Sequence, residues 1–342
     1  MNSRAFITGV SGLALNDAER EFIRVERPWG FILFRRNIET PDQVSRLVQE
    51  LRDVAGRTDA PILIDQEGGR VQRLGPPHWP VYPPGAVFGA LYDLDPAIGL
   101  SAARLSSRLI AADLIDLGIT VDCLPLADVP VEGSDAVIGN RAYGTEPGKV
   151  ARIARAVTEG LTEGGVLPVL KHIPGHGRAT ADSHFRLPTV DTAKSELERT
   201  DFAAFQPLAD LPMAMTAHVV FSALDPAHPA TTSATIIEQV IRGVIGFQGL
   251  LMSDDVSMNA LSGSIAERTR AIFSAGCDLV LHCNGKLDEM REVAAETPEL
   301  SGIALDRARQ ALASRRPLQP FDRSAARVEL DALISKARTA GA

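Results

Sequence analysis

The sequence predicts a single-domain α/β fold, a (β/α)8 TIM barrel, from three observations. Eight short apolar runs recur along the chain, segments of helical spacing lie between them, and 342 residues suit one barrel with loop insertions. The runs are Phe6 to Gly9, Gly30 to Phe34, Pro61 to Asp65, Ile119 to Leu124, Val166 to Lys171, Pro212 to Ala217, Leu250 to Asp254, and Asp278 to Cys283. They are continuous rather than alternating, as expected of parallel strands covered on both faces. Eight is also the number of strands that closes this kind of barrel. Periodicity says nothing about closure, so a doubly wound open sheet remains the alternative.

Between the runs, Thr40-Pro41-Asp42-Gln43 reads as a capping box with proline at the first helical position, followed by Val44, Leu47, Val48, Leu51 and Val54. A second helix is marked by Val150, Ile153, Ala154, Val157 and Leu161, and a third by Ile236, Ile237, Val240, Ile241 and Val244. The long connection from Gln66 to Gly118 reads as a Pro/Gly-rich loop, Gly75 to Gly89, and then a helix through Leu105, Leu109 and Leu114. No linker, internal repeat or low-complexity tract interrupts the chain. One domain is therefore expected over 1–342, with 315–342 as a tail or helix packed on the outside.

Composition narrows the function classes. Hydrophobic residues make up 45% and charged residues 23%, an ordinary globular balance. The net charge of −8, with no basic stripe, argues against a nucleic-acid partner. Cys123, Cys277 and Cys283 are odd in number and match no zinc spacing, so they read as reduced residues of the core. No apolar run reaches the roughly 20 residues of a membrane span. The N-terminus lacks the apolar segment and cleavage site of a signal peptide. The expectation is a cytoplasmic protein without a membrane partner, a monomer or weak homodimer.

Active sites of such barrels form at the carboxyl ends of the strands. Several predicted strands end in polar groups: Asp65-Gln66-Glu67-Gly68-Gly69-Arg70 after the third, and Asp128 and then Asn140-Arg141 after the fourth. Lys171-His172 follows the fifth, His218 the sixth, Asp254-Asp255 the seventh, and His282-Cys283-Asn284 the eighth. Taken singly, these have bland readings. Asp255 suits a helix N-cap, His218 a hydrogen-bonded core residue, and Glu67 and Asp128 partners for arginines. Lys171 beside His172 at the end of a buried strand is harder to explain that way, because burying such groups costs free energy unless they are paired or face a ligand.

The most informative stretch runs from Lys171-His172-Ile173-Pro174-Gly175-His176-Gly177 to Asp182-Ser183-His184. As a phosphate cradle it is weak, lacking a third glycine and a helix directly after it. It resembles the family 3 glycoside hydrolases, specifically their bacterial β-N-acetylglucosaminidases, with the pattern K-H-[FI]-P-G-H-G and then D-S-H. Ile64-Asp65-Gln66-Glu67-Gly68-Gly69-Arg70-Val71, Ile138-Gly139-Asn140-Arg141 and Ser253-Asp254-Asp255-Val256-Ser257-Met258 extend the resemblance, which runs from Gly30 to at least Cys283. Ile173 departs from the commoner Phe, and Asn140 from a common acidic residue.

The resemblance implies that Asp254 is a nucleophile forming a covalent glycosyl-enzyme, and that His184 is the general acid/base with Asp182 as its partner. Asp65, Arg70, Arg141, Lys171 and His172 would bind substrate, an N-acetyl amino sugar. By the same resemblance the substrate is a muropeptide fragment, GlcNAc-1,6-anhydro-N-acetylmuramic acid, in peptidoglycan recycling. No cofactor and no metal are implied, and no second α/β domain is expected after the barrel.

A histidine donor departs from the usual pair of carboxyl groups, yet imidazole titrates near neutrality and can give and then take a proton. The glycine-rich loop carrying Asp182 and His184 is expected to be mobile, with little to pack. Rival readings are a metal-dependent hydrolase using Lys171, His172, His184, His218 and Asp254, and a non-catalytic amino-sugar-binding barrel. A specificity for glucosides is a further alternative.

Overall fold

The computed structural model describes residues 3–183 and 186–340. Its main sheet is a ring of eight parallel strands. They are β1 Arg4–Thr8, β2 Pro28–Leu33, β3 Ile62–Ile64, β4 Val121–Asp122, β5 Leu167–Pro168 continued by Leu170–Ile173, β6 Met213–Thr216, β7 Leu250–Asp255 and β8 Leu279–His282. The ring closes at both seams. Phe6 pairs with Val280 across β1 and β8. At β5 the first piece pairs with β4, Leu167 opposite Val121, and the second with β6, Leu170 opposite Ala214. The break falls at Val169, whose N–H donates to the carbonyls of Asp122 and Leu124 at 3.1 and 2.8 Å. The open-sheet alternative is thereby excluded.

The continuous apolar runs resolve into two faces of period two. Ile7, Ile32, Leu63, Cys123, Val169, Met215, Met252 and Leu281 point inward and fill the barrel. Their neighbours Phe6, Phe31, Ile62, Leu170, Ala214, Leu251 and Val280 point outward and pack under the helices. The interior is a solid plug, so chemistry is confined to its rim.

The helices follow the sequence signals with four differences. At helix Pro41–Ala55, Thr40 accepts from the Gln43 N–H as expected. Gln43, however, turns its side chain to Glu39 N, Leu13 O and Asn37 O, so only half of the capping box forms. The apolar face from Ile236 is wound as a π-helix, Ile236–Val244, with the Ile245 N–H donating to Val240 O. The Pro/Gly-rich loop ends early, because a helix spans Gly85–Leu94 ahead of helix Pro96–Asp116. Its glycines serve close approach rather than a turn. A Cβ on Gly85 would stand 2.1 Å from Arg141 O, and one on Gly89 would stand 2.0 Å from Tyr143 O. Finally, Gln66–Gly68 and Val71–Gln72 form an antiparallel hairpin turned on Gly68 and Gly69, both at positive φ.

Beyond the barrel, helix Arg323–Ala340 lies against helices Gly85–Leu94 and Pro96–Asp116, with the Arg327 guanidinium 4.7 Å from the Tyr82 ring centroid. Among the described residues no helix is long and apolar enough to cross a membrane.

Gly89→Ala separates two effects of opposite sign. Helix propensity alone favours alanine by up to ~1 kcal/mol, whereas overpacking costs roughly 1–3 kcal/mol. The contact with Tyr143 O should win, giving a lower urea midpoint; a raised midpoint would contradict the close-approach account.

Candidate active site

Continuing the inward period by one step above the plug identifies the site. After Ile32 comes Phe34, after Leu63 comes Asp65, after Val169 comes Lys171, after Met252 comes Asp254, and after Leu281 comes Cys283. All five line one cavity of about 150 Å³ at the carboxyl ends of the strands, together with loop residues Arg73, Arg141, His172 and His176. Asp254 is therefore at the rim, half-buried, and neither inside the plug nor at the opposite end. Its Oδ1 accepts the Asp255 N–H at 2.8 Å. The volume is below the roughly 300–1,000 Å³ of sites for drug-sized ligands and suits one sugar ring rather than a chain. A larger groove, about 700 Å³, lies outside the barrel between helices Pro96–Asp116 and Pro147–Glu163. It is lined by Arg104, Arg152, Arg155 and Glu159, far from the strand ends.

The floor of the cavity is a chain of alternating charges. The Lys171 ammonium donates to Asp65 Oδ1 at 2.9 Å and lies 2.7 Å from Glu67 Oε1. Asp65 Oδ2 accepts from Arg73 at 2.9 Å, and Glu67 accepts a bidentate pair from Arg141 at 2.8 and 2.7 Å. Burial opposes ionisation of Asp65, but the Lys171 and Arg73 charges hold its carboxyl well below the usual range. Burial is likewise outweighed at Glu67, which Arg141 and Lys171 hold at about 2. Burial would lower Lys171, yet Asp65 and Glu67 keep it above its ordinary value. Three cations against two carboxylates leave one excess positive charge beside Asp254. Two of the three Lys171 N–H donors are engaged in this chain, leaving one for a ligand.

The opposite wall is built on Asp128, which is fully buried. Its Oδ2 holds His172 Nδ1 at 2.8 Å, and its Oδ1 accepts the His176 N–H at 2.7 Å. Burial would raise the Asp128 carboxyl, but His172 and the hydrogen bonds hold it at about 2. The loop from Ile173 to Ser183 is mostly buried, so the expectation that its glycines leave it little to pack is overturned. A Cβ on Gly177 would stand 2.1 Å from Val129 O, and Ala179 belongs to the hydrophobic core. The Arg178 guanidinium ties the loop to Asp201 at 2.7 Å and Glu196 at 3.0 Å. Asp182 is half-buried; His184 lies outside the described residues.

Asp65, Arg141, Lys171, His172 and Asp254 thus meet in one cavity, but Arg70 does not. It is exposed, donates to Ala136 O at 2.7 Å and also to Val137 O, and so braces the segment whose Val137 and Ile138 line the cavity. The residue that reaches the cavity from this loop is Arg73, because the Gly68-Gly69 hairpin brings the chain back over Asp65. The Gly68-Gly69 pair itself was the available turn signal. Sequence reasoning also left out His176, Glu67 and Asp128 as site residues.

Asp255 caps no helix. It accepts from Ser257 N and Oγ and from Cys283 N, stitching β7 to the end of β8. His218 is a core residue held by Thr231 and Asp255 O on its two ring nitrogens. His218 and Lys171 are committed in this way, and His184, which the rival metal reading also uses, lies outside the described residues. No group of three or more His, Cys, Asp and Glu able to hold a metal occurs among the described residues. Cys123 and Cys277 are buried and unpaired, whereas Cys283 lines the cavity.

Two consequences are measurable. Lys171→Met leaves Asp65 with only Arg73 and Glu67 with only Arg141, so the loss should stay below the roughly 3–5 kcal/mol of a fully stranded buried charge; urea unfolding should register a destabilisation, and a neutral effect would refute the charge chain. Burial, with His172 second, lowers the His176 imidazole to about 4. The unfolded chain protonates this group near pH ~6.5. Its stabilisation, at most ~3 kcal/mol, is therefore complete above that pH and lost as the pH falls from ~6.5 towards 4. His176→Gln should flatten the fall in stability over that window, and an unchanged slope would mean the imidazole is solvated.

The chain matches the family described as "Glycosyl hydrolase family 3 N terminal domain" over residues 6–314. It is 39% identical over 280 residues to a beta-hexosaminidase of Alkalilimnicola ehrlichii, covering 81% of this chain and 79% of that one. A beta-hexosaminidase of Bordetella avium is 36% identical over 309 residues, 88% of this chain and 86% of the relative. Among solved structures, native NagZ from Neisseria gonorrhoeae superposes with a TM-score of 0.86 at 33% identity, covering 98% of each chain. A family 3 beta-N-acetylglucosaminidase from Paenibacillus gives 0.84 at 30% identity, with 97% of this chain but 66%, just under two thirds, of that longer one. A match of this extent, over a barrel whose rim carries the expected motifs, means that the chain belongs to glycosyl hydrolase family 3.

Proposed function

We propose that this glycoside hydrolase is a retaining β-N-acetylhexosaminidase that removes terminal β-linked GlcNAc. The observation that carries the reading is the half-buried Asp254 carboxylate on a cavity sized for one sugar, beside a charge cluster with an excess positive charge. Beta-hexosaminidase is also the name borne by the relatives that match most of the chain.

In this reading Asp254 attacks the anomeric carbon and forms a glycosyl-enzyme while His184 protonates the departing oxygen. His184 then takes a proton from water as the ester is hydrolysed, and Asp182 stabilises its imidazolium form. Asp65, Lys171, Arg141 and His172 bind the sugar hydroxyls and N-acetyl group. Arg70 acts indirectly, through the loop it braces, and Arg73 takes the direct position. We read the substrate as GlcNAc-1,6-anhydro-N-acetylmuramic acid fragments of peptidoglycan recycling, met in the cytoplasm by a monomer or weak homodimer.

General acid help is worth ~10²–10⁴-fold. His184→Ala should therefore lose about that factor on glycosides with poor leaving groups and far less on activated aryl glycosides; equal losses on both would remove His184 from the acid role. Asp254→Ala should be inactive on every substrate. A slow fluorinated glycoside should label Asp254 in the peptide mass spectrum, and a label elsewhere reassigns the nucleophile. A panel of aryl glycosides should favour GlcNAc over glucose and GalNAc.

A further inference from the structure

One side chain on the cavity wall is left unused by the proposed chemistry. His176 is 3% exposed, and its ring stands edge-on to His172 with centroids 5.6 Å apart. Asp128 fixes both, holding the His172 ring through one carboxylate oxygen and the His176 main chain through the other. His176 Nε2 is hydrogen-bonded to Ser183 Oγ at 3.1 Å, and Ser183 is itself 3% exposed. Ser183 lies between Asp182 and His184 in the chain. Because burial keeps the His176 imidazole uncharged near neutrality, the ring is poorly suited to shuttle protons there and well suited to hold a hydroxyl.

The path of the loop shows why such a hold matters. As far as Ala179 the backbone is tied down: Ala179 N donates to His176 O at 3.2 Å, and Asp135 N donates to Ala179 O at 2.8 Å. Thr180 is then exposed and Asp182 half-buried, before Ser183 returns to the interior. The hydroxyl of Ser183 re-anchors the chain directly after Asp182.

We propose that His176 is a positioning residue, and that its hydrogen bond to Ser183 is a latch that fixes the main chain at the residue joining Asp182 to His184 in sequence, and so acts on the proton-transfer pair through the chain. This rests on the reading of Asp182 and His184 as the proton-transfer pair. A misplacement of ~1 Å at a reacting group costs on the order of 100-fold in rate. Loss of the latch therefore reaches the chemistry without removing any group that performs it.

The test is the dependence of kcat/KM on leaving group, measured on the full chain with aryl GlcNAc glycosides from dinitrophenyl to unsubstituted phenyl. Ser183→Ala and His176→Phe should lose ~10–100-fold on the poorest leaving groups and little on dinitrophenyl, so the leaving-group dependence steepens. His176→Gln, whose amide reaches the position of Nε2, should restore most of the activity. The double variant should be no worse than the worse single one, as expected of partners in a single bond. A uniform loss across leaving groups, or an unchanged slope in Ser183→Ala where His184→Ala steepens it, overturns the latch alone. An unchanged slope in His184→Ala overturns the acid/base reading and the latch with it. Melting curves check folding, and if His176→Phe fails to fold, Ser183→Ala, which removes a single oxygen, decides the matter.

Discussion

The Lys171 ammonium, closed in between Asp65 and Glu67, is the interaction on which the rim of this barrel depends. An isolated ammonium or carboxylate in such a place is prohibitively costly, and pairing offsets that cost only when the geometry is good and the remaining hydrogen-bonding positions are filled. The first condition is met, and the second is met at the two carboxylates. Arg73 takes the second oxygen of Asp65, and Arg141 grips Glu67 with two parallel bonds. The chain of charges also joins separate parts of the fold, because Asp65, Glu67 and Arg73 follow β3, Lys171 belongs to β5, and Arg141 comes from the loop after β4. Each charged group is held by another element, so none can move alone. The excess positive charge falls beside Asp254.

Beneath this layer the barrel is purely apolar, and the transition between the two is abrupt. On four strands the inward series passes within one step from Leu, Val or Met to Asp65, Lys171, Asp254 and Cys283. This lets a packed, dry plug serve as the rigid seat for groups that must be held to fractions of an ångström. The fifth-strand loop extends the principle. Its glycines let the backbone lie directly against Val129 and Asp201, so the segment leading to Asp182 begins from a fixed base.

Much of the fold was legible because buried parallel strands leave a simple trace, and each of the eight apolar runs overlaps its strand, though four strands extend past the run by one or two residues. The failures share a cause. The Gly85–Leu94 helix, the half-formed box at Thr40 and the π-winding from Ile236 all depend on what packs against the segment, which local spacing does not report. For the same reason Arg70 was named as a site residue and Arg73 was not: both are arginines just beyond β3, and only the turn at Gly68-Gly69 determines which one comes back over Asp65. Cys283 looked like core because it follows an apolar run, although it is the first inward residue beyond the plug.

The residue pattern alone determined the number and order of the strands and the polarity of their carboxyl ends. It also marked the fifth-strand motif as the densest concentration of chemistry, since side-chain period and burial are written locally. Closure of the ring, the pairing of Lys171 with two carboxylates, the shared hold of Asp128 on two histidines, and the contact of His176 with Ser183 were decided by tertiary structure. Each joins groups whose distance is set by the packing of elements far apart in the chain, and no local pattern encodes that distance.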